Sequence, residues 1–117
     1  MKKLFSKLVN MIQHPYMLLR ARIAYDRAVF KAEESLANTG QRTYVIKARS
    51  SGKKQFMLVD RSNFRKLKKL GHINRRATIK SLENYCFYCT SYANGTDEMP
   101  ADIVTMKRKQ ALRWYTH

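Results

Sequence analysis

The sequence predicts an α+β fold: N-terminal helices, one β-hairpin, then three helices of which the first two form a candidate helix–turn–helix. Three observations predict it. Apolar residues recur at helical spacing from Leu4 to Leu36. The period changes to two over Thr43–Arg49 and Gln55–Asp60, on either side of a Ser/Gly/Lys turn. Helical spacing then returns, punctuated by Gly71 and by Tyr92-Ala-Asn-Gly95. Two units are expected on this pattern, a helical arm over residues 1–40 and a small basic α+β domain over residues 41–117.

In chain order, residues 2–13 put Leu4, Leu8 and Met11 on one side, flanked by Phe5 and Ile12, with Lys2, Lys3 and Lys7 displaced. His14-Pro15 is expected to break or bend the chain, because a residue before proline avoids the α region and Pro15 suits a first turn. A second helix is expected from Tyr16 to about Asn38, stopped by Thr39-Gly40. Leu18, Tyr25, Val29, Ala32 and Leu36 line one stripe of it, and Leu19, Ile23 and Phe30 another about 100° away. So wide an apolar surface wants neighbours on two sides. A basic amphipathic helix also suits a membrane surface, but a long helix packed on a small domain is the commoner arrangement.

Tyr44, Ile46 and Ala48 alternate with Val45, and Phe56 and Leu58 with Met57 and Val59, as in two strands joined through Ser50–Lys54. Lys53 and Lys54 then stand at the hairpin tip. Two strands alone are marginal, so the sheet must pack on helices or find a third strand.

Beyond the hairpin, Asp60 or Ser62 can cap a short helix that Gly71 ends in the left-handed conformation. The next helix is expected to start near Asn74 and to run through Ile79, Leu82, Tyr85, Cys86 and Cys89 on one face. Thr96 or Asp97 caps the last helix, with Pro100 in its first turn. That helix ends basic and aromatic, at Lys107, Arg108, Lys109, Arg113, Trp114 and Tyr115.

Charge narrows the function. There are 24 Lys and Arg against 8 Asp and Glu, a net charge of +16, so the chain repels itself unless it meets a polyanion. The hydrophobic share, 44%, is enough for a core and argues against global disorder. Two cysteines cannot form a disulfide framework, and a reducing compartment is expected. The N-terminus fails as a secretion signal, since Lys7, Asn10 and Gln13 interrupt any apolar region. No transmembrane segment is expected either. The location these features suggest is cytoplasmic, in a host cell or a virion.

The charge concentrates between Arg61 and Lys80, with eight cations and no acid. Phe64, Leu67 and Leu70 fall on one side of a short helix, with Arg65, Lys66, Lys68 and Lys69 on the other. In the helix–turn–helix reading of residues 62–85, Arg75, Arg76 and Lys80 face bases while Lys66, Lys68 and Lys69 sit near phosphate. The spacing is one residue longer than the common form at two places, and the bland alternative is two packed helices with a charged outer face. Cys86-Phe-Tyr-Cys89 supplies two of the four ligands a structural zinc needs, so core packing is the better expectation for it. Of the aromatics among the cations, Tyr88, Trp114 and Tyr115 are the candidates for exposure and for stacking on a single strand.

No nucleotide-binding, zincin or serine-hydrolase motif is present, and the acids are scattered. Neither catalysis, nor a cofactor, nor a metal is expected. NFRKLKKLG after a hairpin, LENYCFYCTSYANG and the terminal MKRKQALRWY together resemble small basic proteins encoded in Bacteroides genomes and their phages. The resemblance spans about Tyr44 to Tyr115, implies a phage or mobile-element origin, and carries over no activity and no site residues. The expected function is nucleic-acid binding, DNA or RNA, through Arg65, Lys66, Lys68, Lys69, Arg75, Arg76 and Lys80. The alternative is a basic structural or adaptor protein, such as a virion or assembly component, that binds an acidic protein partner.

Overall fold

A three-stranded antiparallel sheet separates two helical layers, so the α+β class is as expected. The computed structural model describes the backbone of residues 2–117 and the side chains from Pro15 onward, Ser50 excepted. In chain order the elements are α1 (Lys2–Thr39), β1 (Tyr44–Ser50), β2 (Lys53–Val59), α2 (Phe64–Lys69), α3 (Ile79–Tyr85), β3 (Tyr88–Cys89) and α4 (Ala101–Thr116), and the sheet order is β2-β1-β3.

α1 corrects the first expectation. It runs unbroken from Lys2 to Thr39 with Pro15 inside it, where two helices were expected. An interior proline removes one N–H and crowds the carbonyl four residues back, which costs stability without necessarily ending a helix. The apolar stripe expected over residues 2–13 lies outside the described side chains. Gly40, at φ 71°, ends α1 in the left-handed conformation by donating to the Leu36 carbonyl at 2.8 Å.

The hairpin is tighter than its sequence suggests. Ser50 pairs with Lys53, leaving a two-residue turn with φ 52° at Ser51 and 78° at Gly52. Positive φ at both central residues is the type I′ turn, whose twist matches that of the strands. Lys53 and Lys54 therefore belong to β2, and Lys54 Nζ donates to the Trp114 carbonyl at 2.8 Å. The third strand exists: β3 pairs with β1 through Tyr44–Cys89 and Val45–Tyr88.

Strand alternation sends two apolar sets to opposite faces. Tyr44, Ile46 and Val59 pack with Phe64, Ile73, Leu82, Cys86 and Cys89 in the layer that holds α2 and α3. Val45 and Phe56 face α1 and α4, against Ala21, Tyr25, Ala28, Ala32, Ala111 and Leu112. Phe56 is the hub of this second core, with the rings of Tyr25, Phe87, Trp114 and Tyr115 centred 5.4 to 5.8 Å from its own. Trp114 and Tyr115 are thus half-buried core residues, and Tyr88, also half-buried, donates its hydroxyl to Glu33. Among the described residues the exposed aromatics are Tyr16, Phe30, Tyr85 and Tyr92.

Only one of the two expected stripes on α1 finds neighbours. Tyr25 and Ala32 are buried, whereas Leu19, Ile23 and Phe30 are 54%, 50% and 67% exposed. Large apolar side chains aligned in the open like this are uncommon on a monomer.

Candidate nucleic-acid interface

The layer over the first sheet face is assembled from residues 60–86. Asp60 starts it, accepting the backbone N–H groups of Ser62 and Asn63, while Asn63 Oδ1 accepts the N–H of Asp60. α2 then lasts six residues and ends in a Schellman motif, with His72 N donating to Leu67 O at 3.0 Å and Gly71 N to Lys68 O at 3.1 Å. Gly71, at φ 82°, is the left-handed residue that this ending requires. Phe64 is buried and Leu67 half-buried, as expected, but Leu70 lies at the cap and is exposed.

α3 starts later than expected. Asn74 holds a turn instead of a helix start: its Oδ1 accepts the Arg76 N–H and its carbonyl accepts the N–H of Ala77. The helix begins at Ile79, where Thr78 and Ser81 cap one another's backbone N–H reciprocally. It stops at Tyr85, and Cys86 turns extended so that Phe87 N reaches Val45 O at 2.7 Å. Residues 70–78 therefore link α2 to α3, longer than the three- or four-residue turn of a helix–turn–helix unit. Ile73, 3% exposed, anchors the middle of the link in the core.

This construction spreads the cations. Arg65, Lys66 and Lys69 are exposed on α2, Arg75 and Arg76 are exposed in the link, and Lys80 is exposed at the start of α3. Arg75 and Arg76 are thus not on a helix. Lys68 differs from the rest: it is half-buried, with its ammonium 4.8 Å from the centre of the Phe64 ring. None of the seven forms an ion pair with a described residue. Asp60 holds its turn, and Glu83 binds Arg42 at 2.9 Å.

Arg42 and Lys107 are cations of another kind, spent inside the fold, and sequence reasoning passed over both. The Arg42 guanidinium donates to Thr90 O, Asp97 O, Glu83 Oε1 and Cys89 Sγ, and lies 4.7 Å from the Tyr92 ring centre. It ties the start of β1 to α3, β3 and the loop before α4. Lys107, 7% exposed, donates to the carbonyls of Glu83, Asn84 and Cys86 at 3.4, 3.2 and 2.8 Å. These are carbonyls at the end of α3 with no helical partner, so an ammonium there satisfies them and meets the negative end of the helix dipole. α4, which carries Lys107, begins at Ala101 just after Pro100, with no side-chain cap from Thr96 or Asp97.

Cys86 and Cys89 are free thiols, 1% and 3% exposed, packed in the core as expected but at a helix end and on a strand. The Cys86 thiol donates to Glu83 O at 3.6 Å and the Cys89 thiol to Met99 Sδ at 3.7 Å, while Arg42 Nη2 donates to the Cys89 sulfur at 3.3 Å. The neighbouring Cys86 thiol, and then the Arg42 guanidinium, push Cys89 down to about 6 against the opposing effect of burial. The neighbouring Cys89, and then burial, push Cys86 up. No group of three His, Cys, Asp or Glu side chains that could hold a metal ion occurs among the described residues.

A cleft of about 620 Å³ lies between α1, the β1–β2 turn and the end of α4. Met17, Arg20, Lys53, Lys54, Tyr115 and His117 line it. Its residues come from three distant segments, and no spacing in the sequence announces it. No helix among the described residues is long and apolar enough to cross a membrane.

No protein family, no curated protein and no solved structure matches this chain. The functional reading therefore rests on the chemistry of its surfaces.

Proposed function

We propose that the protein binds nucleic acid without catalysis, mainly through phosphate charge, on the layer formed by α2, the 70–78 link and α3. The observation that carries this reading is a run of exposed, unpaired cations on a rigid base. Arg65, Lys66, Lys69, Arg75, Arg76 and Lys80 all stand in solvent, while Phe64, Ile73 and Leu82 hold their backbone to the sheet. Lys68 joins them at the edge, its stem partly committed to Phe64. Phosphate contacts of this kind position a protein on a strand and release counterions, so affinity falls steeply with salt.

A second reading has its own support. The exposed Leu19, Ile23 and Phe30 stripe, with Arg20, Arg27 and Lys31 beside it on α1, suits an adaptor that docks on an acidic protein partner. One experiment separates the two. Purified protein is measured by its absorbance ratio at nucleic-acid and protein wavelengths, before and after separate DNase and RNase treatment. Co-purifying nucleic acid, together with duplex binding whose log–log salt slope is about −4 to −5 for ~5 contacts, supports the first reading. Absence of binding at about 50 mM salt refutes it and favours the acidic protein partner.

A further inference from the structure

The cleft between α1, the β1–β2 turn and the end of α4 gathers cations from α1 and β2 and has no Asp or Glu side chain in its lining. Neither Arg20 nor Lys53 forms an ion pair with a described residue, and the Arg20 guanidinium lies 5.9 Å from the centre of the exposed Tyr16 ring. Lys54 has another task. Its ammonium is hydrogen-bonded to the Trp114 carbonyl, near the C-terminus of α4, and lies 5.7 Å from the Trp114 ring centre. It thereby offsets the negative helix end that would otherwise repel an anion from this place.

The wall is aromatic and fixed. Tyr115 lines the cleft while its ring stacks on Phe56, with centres 5.4 Å apart and planes 20° from parallel. Met17 adds a half-open apolar contact on the α1 side. A guanidinium and an ammonium recognise phosphate, and a held aromatic ring beside them takes a base face. The volume, about 620 Å³, is in the range of small-ligand sites.

We propose that this cleft holds a nucleotide unit of a single strand, with its phosphate on Arg20 and Lys53 and its base against Tyr115 and Met17. A duplex does not fit this role, because its base faces are covered by stacking. The inference rests on the nucleic-acid reading but concerns a different surface: none of the cleft's lining residues belongs to the layer built from residues 60–86. Duplex contacts and single-strand contacts are therefore separable by substitution.

The test uses the full chain, a labelled short oligothymidylate and a labelled mixed-sequence duplex, both followed by fluorescence anisotropy. Arg20→Gln with Lys53→Gln is expected to weaken oligothymidylate binding about tenfold while duplex affinity stays within about twofold. Arg27→Gln with Lys31→Gln removes the same charge from exposed positions of α1 outside the cleft and is expected to leave both affinities within about twofold. Photo-crosslinking to an oligonucleotide carrying 4-thiothymidine is expected to label the peptides holding Met17 or Tyr115. Crosslinks confined to residues 61–85 overturn the proposal, and so does an equal loss on both ligands. If the unaltered protein binds both ligands and the cleft variant is neutral, only the cleft inference falls. If the unaltered protein binds neither, the nucleic-acid reading falls with it.

Discussion

Replacing Arg65, Lys66 and Lys69 with Gln tests the α2 face without touching its foundation. All three side chains are exposed and none is paired, so the unfolding free energy should change by less than about 0.5 kcal/mol. Lys68 is left in place because its ammonium covers the Phe64 ring at 4.8 Å, an interaction worth about 0.5–1 kcal/mol. On duplex DNA each lost phosphate contact lowers the log–log salt slope by about 0.9, so three lower it by about 2.7. A starting slope of about −4 to −5 should fall to roughly −2. Anisotropy titrations of a mixed-sequence duplex between about 50 and 200 mM salt measure this directly. The control is Arg22→Gln, Arg27→Gln and Lys31→Gln on α1, which removes the same number of exposed charges; Arg20 is unsuitable there because it lines the cleft. If the slope changes no more in the α2 variant than in the control, the attraction belongs to the whole surface and the α2 face is no special site.

Other outcomes follow from the same geometry. Arg75→Gln with Arg76→Gln should weaken binding evenly across duplex sequences, since both lie in a link and not at the start of a helix; a selective loss on some sequences would contradict this. Lys107→Met should cost about 2–4 kcal/mol in urea denaturation, because it leaves carbonyls at the end of α3 without their donor. Lys109→Met, exposed on the same helix, should cost less than about 0.5 kcal/mol, and equal losses would refute the capping role. Cys89 should titrate well below an ordinary thiol, seen as thiolate ultraviolet absorbance that Cys89→Ala abolishes. Its folded value, about 6, lies below the ordinary 9.0, so its stabilising contribution is full above about 9 and is lost as pH falls through about 6. A denaturation midpoint that does not rise over that window in the native protein, relative to Cys89→Ala, would count against the thiolate.

Elements governed by local pattern were legible, and those governed by distant partners were not. The hairpin showed itself through alternation in Tyr44–Ala48 and Phe56–Val59, yet its turn was read too wide because Ser51 is an unusual residue at positive φ. Gly40 and Gly71 were legible as helix ends for the reason they work, their ease in the left-handed conformation. Pro15 misled because its local preference says nothing about the helix around it. Asn74 misled similarly: it and Thr78 are both good caps, and only the reciprocal bond with Ser81 decides where α3 starts. β3 is two residues long and exists through its pairing with β1, so the burial of Cys86 and Cys89 could be read but their secondary structure could not. The same distinction holds for the surfaces. The exposure of Lys66 and Lys69 follows from helical period, whereas the cleft needs Arg20, Lys53 and Tyr115 brought together from across the chain.

The open stripe on α1 has a colloidal consequence. Leu19, Ile23 and Phe30 offer copies of this protein a reason to stick, and the +16 charge gives them a reason to stay apart. Solubility in such a chain is a balance between a short-range attraction and a long-range repulsion, and only the repulsion is screened by ions. Salt erodes it gradually. A bound polyanion erodes it all at once, so turbidity should peak where protein and anion charges match and clear again when the anion is in excess. The apolar stripe thus makes the physical state of the protein depend on the ratio of the mixture as well as on its concentration.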